Sequence, residues 1–70
     1  MYNYAKLRGR IVEICGTHMA FGKAIGISRA ALSLKLNNRN EFSQGEIKKA
    51  LDVLGLSKDD AGEYFFTLKS

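Results

Sequence analysis

The sequence contains no proline and no tryptophan, and it has one cysteine and one histidine among 70 residues. One cysteine cannot form an internal disulfide, and Cys15 with His18 falls short of a zinc ligand set. Small secreted proteins usually depend on several disulfides, so we expect a cytoplasmic location. No apolar run approaches the roughly 20 residues that a membrane-spanning helix requires. The N-terminal segment also lacks the apolar core of a signal peptide.

The length leaves room for one domain, which we expect to span residues 1–70. Paired carboxylates, a nucleophile–base set, a phosphate-binding loop and a metal-ligand cluster are all missing from the sequence. We therefore expect that the protein is not an enzyme and that it uses neither a metal nor a small-molecule cofactor.

Basic residues are concentrated in the first part of the chain. Residues 1–40 contain seven bases and one acid, whereas residues 41–70 contain four bases and six acids, within a net charge of +4. A positive half suits a polyanion such as nucleic acid, although many small proteins are mildly basic without such a partner.

Apolar residues recur at helical spacing along nearly the whole chain, which predicts an all-α fold of four to five helices. The first helix is expected to follow an N-cap at Asn3 and to end at Gly16. Its predicted inner face consists of Tyr4, Leu7, Ile11 and Ile14.

Capping residues predict the bounds of the next helices. Thr17 precedes a helix over residues 18–25, and Ser28 precedes one that reaches about Asn37. A capping box at Ser43–Glu46, with Phe42 and Ile47 as a hydrophobic staple, begins the fourth helix. Its core stripe is Ile47, Ala50, Leu51 and Leu54, and its predicted end is Gly55–Leu56. A short turn should follow Ser57, and residues 63–70 fit a helix or a strand equally well.

The segment 17–37 has the build of a helix-turn-helix unit. Gly22 permits close approach of the two helices, and Gly26 accepts the positive φ of the turn. The predicted seam between the helices consists of Phe21, Ile25, Ile27 and Leu32. Lys35 stands where an apolar residue is usual. Either Leu36 packs in its place, or the Lys35 stem covers the core with its head in solvent.

The run GTHMAFGKAIGISRAALSLKLNN, together with LGLS after the fourth helix, resembles the lambda-repressor-like domains of phage Cro and repressor proteins. The resemblance covers roughly residues 4–66. It implies a compact four- to five-helix domain that binds double-stranded DNA in the major groove. It also implies a transcriptional regulator that acts as a homodimer on a palindromic operator.

This interpretation assigns roles along the helix-turn-helix unit. Exposed residues early in its second helix would meet base edges: Arg29, Ala30, Ser33 and Leu34. Residues at the helix N-termini, basic residues of the unit and the asparagines of the following loop would contact phosphates: Thr17, His18, Lys23, Ser28, Lys35, Asn37, Asn38 and Arg39.

The C-terminal tail, residues 63–70, is rich in apolar side chains: Tyr64, Phe65, Phe66 and Leu68. These residues either fold back to close the core or pair with a second copy of the chain. The tail also supports an alternative function. The protein would then be a protein-interaction module on a helix-turn-helix fold, such as an anti-repressor or an antitoxin-like binder.

Overall fold

The computed structural model describes residues 1–69 of the chain. It contains five α-helices: α1 (Ala5–Cys15), α2 (His18–Ile25), α3 (Arg29–Leu36), α4 (Gln44–Val53) and α5 (Ala61–Phe65). A 3₁₀ turn over Lys58–Asp60 precedes α5. Within residues 1–69 the only extended pairing is an antiparallel bridge between Tyr2 and Leu68. The predicted all-helical fold is therefore confirmed. None of the described helices combines the length and hydrophobicity that crossing a bilayer takes.

The helix ends follow the local signals in the sequence. Ser43 and Glu46 form the predicted capping box at the start of α4. Three helices end in a Schellman motif, in which an amide hydrogen reaches back to a carbonyl five residues earlier: Ile27 to Gly22 at 2.9 Å, Arg39 to Leu34 at 2.8 Å and Leu56 to Leu51 at 2.8 Å. The start of α1 differs from the prediction, because Tyr4 holds the N-cap position while the Asn3 side chain accepts from the Ala5 amide.

The core consists of eleven buried apolar residues drawn from every α-helix and the flanking positions: Tyr4, Leu7, Ile11, Phe21, Ile25, Leu32, Leu36, Ala50, Leu51, Leu54 and Phe65. The predicted placement of Ile14 is wrong, since this side chain is 46% exposed. Cys15, four residues after Ile11, packs against the core instead. Counted from Ile11, Cys15 at i+4 thus lies on the buried face of α1, and Ile14 at i+3 lies at the edge of that face.

The described part of the tail, residues 63–69, ends α5 at Phe65 and then forms the isolated bridge at Leu68, and Ser70 lies outside the described residues. Phe65, at the end of α5, is 1% exposed and closes the core, and Tyr64 packs against the core from its edge. Residues 67–69 then run beside the N-terminus, where the Asn3 amide donates to the Thr67 carbonyl at 2.7 Å. Phe66 and Leu68 remain 51% and 69% exposed. Core closure is therefore the role of Phe65, whereas Leu68 is largely exposed and Phe66 is half exposed beside Tyr2.

Candidate functional site

Helices α2 and α3 form a tightly joined helix-turn-helix unit. The Thr17 and Ser28 hydroxyls cap the two helices by accepting from the Ala20 and Ala31 amides, each at 3.1 Å. Gly26 between them has φ +82°, a conformation that L side chains rarely adopt. The turn is therefore short and fixed at both ends.

The close approach expected at Gly22 is present. A Cβ atom at this position would lie 3.1 Å from the Ile27 carbonyl oxygen and 3.7 Å from a Leu32 methyl. Phe21, Ile25 and Leu32 are buried at the seam, and Ile27 is partly buried beside them. The packing presents the opposite sides of α2 and α3 to solvent.

These exposed sides form what we call the α2–α3 surface: Thr17, Met19, Ala20, Lys23, Ser28, Arg29, Ala30, Ser33 and Leu34. All four predicted base-contacting residues belong to it, and Leu34 is 43% exposed. Leu32 and Leu36 are buried on the other side of α3. The exposure that base contact requires is thus present, and base contact itself stays a prediction.

The predicted phosphate-contacting residues divide into two groups. Lys23 and Arg39 are exposed, Thr17 and Ser28 are exposed at helix starts, and His18 is half-buried. The others, Lys35, Asn37 and Asn38, are already engaged within the molecule.

Lys35 shows the most consequential of these engagements. Leu36 is buried in the core, so it takes the apolar position. The Lys35 side chain is only 13% exposed, and its Nζ atom lies 3.2 Å from Glu46 Oε1. The same ammonium group donates to the Glu41 carbonyl at 3.0 Å. Contrary to the second alternative, the head is not in solvent, and a phosphate contact would require breaking this ion pair.

The Glu46 carboxylate is stabilised in its charged form by this arrangement. Partial burial acts to raise its pKa, but hydrogen bonds from the Ser43 backbone amide and from Lys35 outweigh burial, so the pKa lies below its ordinary value. The pair joins the end of α3 to the start of α4. It therefore fixes the position of the helix that carries Arg29 and Leu34.

The two asparagines after α3 also make internal contacts. The Asn37 side-chain amide donates to the Ser33 carbonyl at 2.9 Å. Asn38 has φ +61°, and its side chain bonds both the Tyr2 amide and the Tyr2 carbonyl, at 2.7 and 2.9 Å. Asn38 thereby holds the N-terminal segment against the end of α3.

Two arginines hold helix C-termini, a role that the sequence did not indicate. Arg8 Nη2 donates to the Leu36 carbonyl at 3.1 Å, and Arg10 donates through Nε and Nη2 to the Leu54 carbonyl at 3.0 and 2.8 Å. Helix C-termini attract cations because their last carbonyls are unpaired. Lys6 is likewise engaged, in an ion pair with Glu63.

Few cations of the basic half remain available to a partner. Among residues 1–69, no ion pair or side-chain hydrogen bond engages Lys23, Arg29 or Arg39. The charge asymmetry of the sequence therefore overstates the number of free positive groups.

Large apolar side chains lie between these cations. Met19 is 61% exposed, and Val12 on the neighbouring helix is 54% exposed. Both line one shallow depression with Arg29, which continues into a second depression over Ala20 and Lys23. Sequence reasoning missed Met19, although its position two residues before Phe21 places it away from the buried side of α2.

The fold and this surface define a small, all-helical helix-turn-helix protein. The chain belongs to the family described as Protein of unknown function (DUF739), whose model matches residues 1–68. It is similar to the modulator of repression (MOR) of the temperate bacteriophage TP901-1 from Lactococcus lactis, known from a solution structure. The two share 45% sequence identity over 93% of this chain and 88% of that one, with a TM-score of 0.81. No curated protein matches the chain. The resemblance to phage Cro and repressor domains stays a prediction.

Proposed function

We propose that the protein regulates repression in a phage or prophage and that it acts by binding a repressor protein. The observation that carries the proposal is the 45% identity to the modulator of repression over 93% of the chain. The α2–α3 surface is the contact surface in this proposal. Its composition supports a protein partner in two ways.

The first support is apolar exposure. Met19, Leu34 and the adjacent Val12 are between 43% and 61% exposed. Covering such side chains stabilises a complex by about 25 cal/mol for each Å² of apolar surface removed from water. Methionine is also enriched at protein interfaces, where its flexible side chain fits varied partners. A phosphate backbone offers no comparable apolar surface.

The second support is the small number of free cations within residues 1–40, the basic half of the chain. The logarithm of the affinity for duplex DNA falls linearly with the logarithm of the salt concentration. The slope is about −0.9 for each phosphate that the protein neutralises. Lys23, Arg29 and Arg39, the unpaired cations of residues 1–40, would by themselves give a slope of about −3 for one protomer. Specific operator binding usually involves many more phosphate contacts.

Operator binding as a homodimer is the second candidate. Arg29 favours it, because this exposed residue begins α3, where its guanidinium group can reach the O6 and N7 atoms of guanine. A symmetric dimer would double the number of free cations and present two such helices one helical turn apart.

Gel-shift measurements with the repressor encoded in the same phage or prophage genome, and with its operator, separate the two functions. We expect the chain alone to leave the operator unshifted at low salt. We expect it to change the shift that the repressor produces, at concentrations comparable with the repressor's. A promoter carrying that operator should then change its reporter output when the chain is co-expressed.

Matched variants locate the contact. Met19→Glu and Leu34→Glu should each abolish the effect on the repressor, whereas Gln44→Glu, at the exposed first residue of α4, should preserve it. A shift of operator DNA by the chain alone, with no effect on the repressor, would establish the second candidate instead. An unchanged repressor and an unshifted operator together would contradict both.

A further inference from the structure

Five aromatic rings form a continuous row beside the paired N- and C-terminal segments. The ring centroids of Phe66 and Tyr2 are 5.8 Å apart, those of Tyr2 and Tyr4 6.0 Å, and those of Tyr4 and Phe42 5.6 Å. Phe65 completes the row at 5.3 Å from Phe42. Three of these four ring pairs are edge-to-face, an arrangement that favours a well-defined cluster.

The rings line a cavity of about 50 Å³, and Glu41 lines it as well. Among residues 1–69, the ion pairs join Lys6 to Glu63, Arg10 to Glu13 and Lys35 to Glu46. None of them neutralises the Glu41 carboxylate, since Lys35 binds the Glu41 backbone carbonyl instead. A negative charge without an internal partner thus stands at an aromatic cavity.

We infer that this cavity binds an arginine side chain presented by a partner protein. Aromatic faces attract cations, arginine more often than lysine, and a carboxylate pairs with a guanidinium group through charge-assisted hydrogen bonds. The guanidinium group is planar and weakly hydrated, so it stacks on rings at a lower desolvation cost than an ammonium group.

The size and rigidity of the cavity fit this ligand. A volume of about 50 Å³ exceeds the roughly 10–15 Å³ that one water molecule requires, so the cavity has room for a small planar group. Two hydrogen bonds from Asn38 fix the backbone of Tyr2, so the Tyr2 ring needs little ordering when a ligand enters. Glu41 and Tyr4 line the same cavity, and the pKa of Tyr4 is raised by burial first and then by Tyr2 and Glu41.

This site goes beyond the proposed function, because it shares no residue with the α2–α3 surface. It is an additional contact for a basic partner. Its test uses small probes and the whole chain, so its outcome does not depend on repressor binding.

The test is an NMR titration with N-acetylarginine amide, compared with N-acetylcitrulline amide, which has a similar shape and no charge. We expect saturable millimolar binding of the arginine probe, with shift changes at Tyr2, Tyr4 and Phe66. Citrulline should bind about fivefold to tenfold more weakly. Glu41→Gln should weaken arginine binding by a similar factor, whereas Asp52→Asn, an equal charge change at an exposed position of α4, should not alter it.

Three results would overturn the inference: equal binding of arginine and citrulline, equal weakening by Glu41→Gln and Asp52→Asn, or shift changes confined to the acidic segment 58–63. Glu41 is exposed, so its variant should fold. Preserved backbone spectra will verify this, and Phe66→Leu provides a second test. That variant should also weaken arginine binding, because it removes one ring of the row.

Discussion

Replacing Gly22 with alanine tests the packing that creates the α2–α3 surface. The added Cβ atom would lie 3.1 Å from the Ile27 carbonyl oxygen, tighter than most Cβ contacts, so the oxygen would have to move by a few tenths of an ångström. The hydrogen bond from the Ile27 amide to the Gly22 carbonyl, at 2.9 Å, ties the turn that carries this oxygen to α2. The two helices would have to separate or the turn would have to change shape.

The expected magnitude follows from two opposing effects. Alanine in place of glycine inside a helix stabilises by about 1 kcal/mol, and overpacking costs about 1–3 kcal/mol. Gly22→Ala should therefore lower the free energy of unfolding by up to about 2 kcal/mol. A Cβ atom added at Gly9, within α1, would meet no side chain and no neighbouring helix within 4 Å. Gly9→Ala is therefore the matched control and should raise stability by up to about 1 kcal/mol.

Urea denaturation followed by far-UV circular dichroism measures the difference. Gly22→Ala should be less stable than Gly9→Ala by about 1–3 kcal/mol with an unchanged m-value. Each kcal/mol corresponds to roughly 4–8 °C in melting temperature for a domain of this size. Equal stabilisation by the two substitutions would refute the close approach as the reason for glycine at position 22.

Three further predictions concern the core, the end of α3 and pH. Phe65→Ala should destabilise the protein by about 3–5 kcal/mol. Phe66→Ala should destabilise it by less than about 1 kcal/mol, because Phe66 is half exposed. Thermal denaturation of the two variants measures this difference. Asn38→Ala should be about 1 kcal/mol less stable than Asn38→Gly, since only alanine adds strain at φ +61°. Equal melting temperatures of the two variants would contradict this. The lowered pKa of Glu46 means that its stabilisation holds above the unfolded pKa and is lost as pH falls through the folded value. Glu46→Gln should therefore weaken acid destabilisation in denaturation curves.

The helix bounds were predictable because short-range chemistry determines them. Thr17, Ser28 and Ser43 each cap the helix that they precede, and Gly26 and Gly55 adopt the positive φ that ends a helix. These signals involve residues within five positions of one another. Periodicity was less decisive near the end of α1, where Ile14 and Cys15 both fit a helical spacing and only tertiary packing selects between them.

The contacts that the sequence did not indicate join residues far apart in the chain. Arg10 reaches the Leu54 carbonyl across 44 positions, and Asn38 reaches Tyr2 across 36. No local pattern encodes such pairs. The exposure of Arg29 and Leu34 was predictable from the buried positions of Leu32 and Leu36 on the same helix. The partner of that surface was not, because one helix-turn-helix fold serves several functions.

Several cations of the basic half, residues 1–40, bind groups within the protein and are therefore less available to a partner. Arg8 and Arg10 stabilise helix C-termini, and Lys35 neutralises Glu46 at the junction of α3 and α4. Their charges offset carbonyl dipoles and a carboxylate inside the fold, so they contribute less to the field outside it. Of the basic half, Lys23 and Arg29 remain unpaired beside the exposed Met19. A surface of this composition gains more from covering apolar area than from displacing counterions, which is the physical reason to place a protein before DNA as its partner.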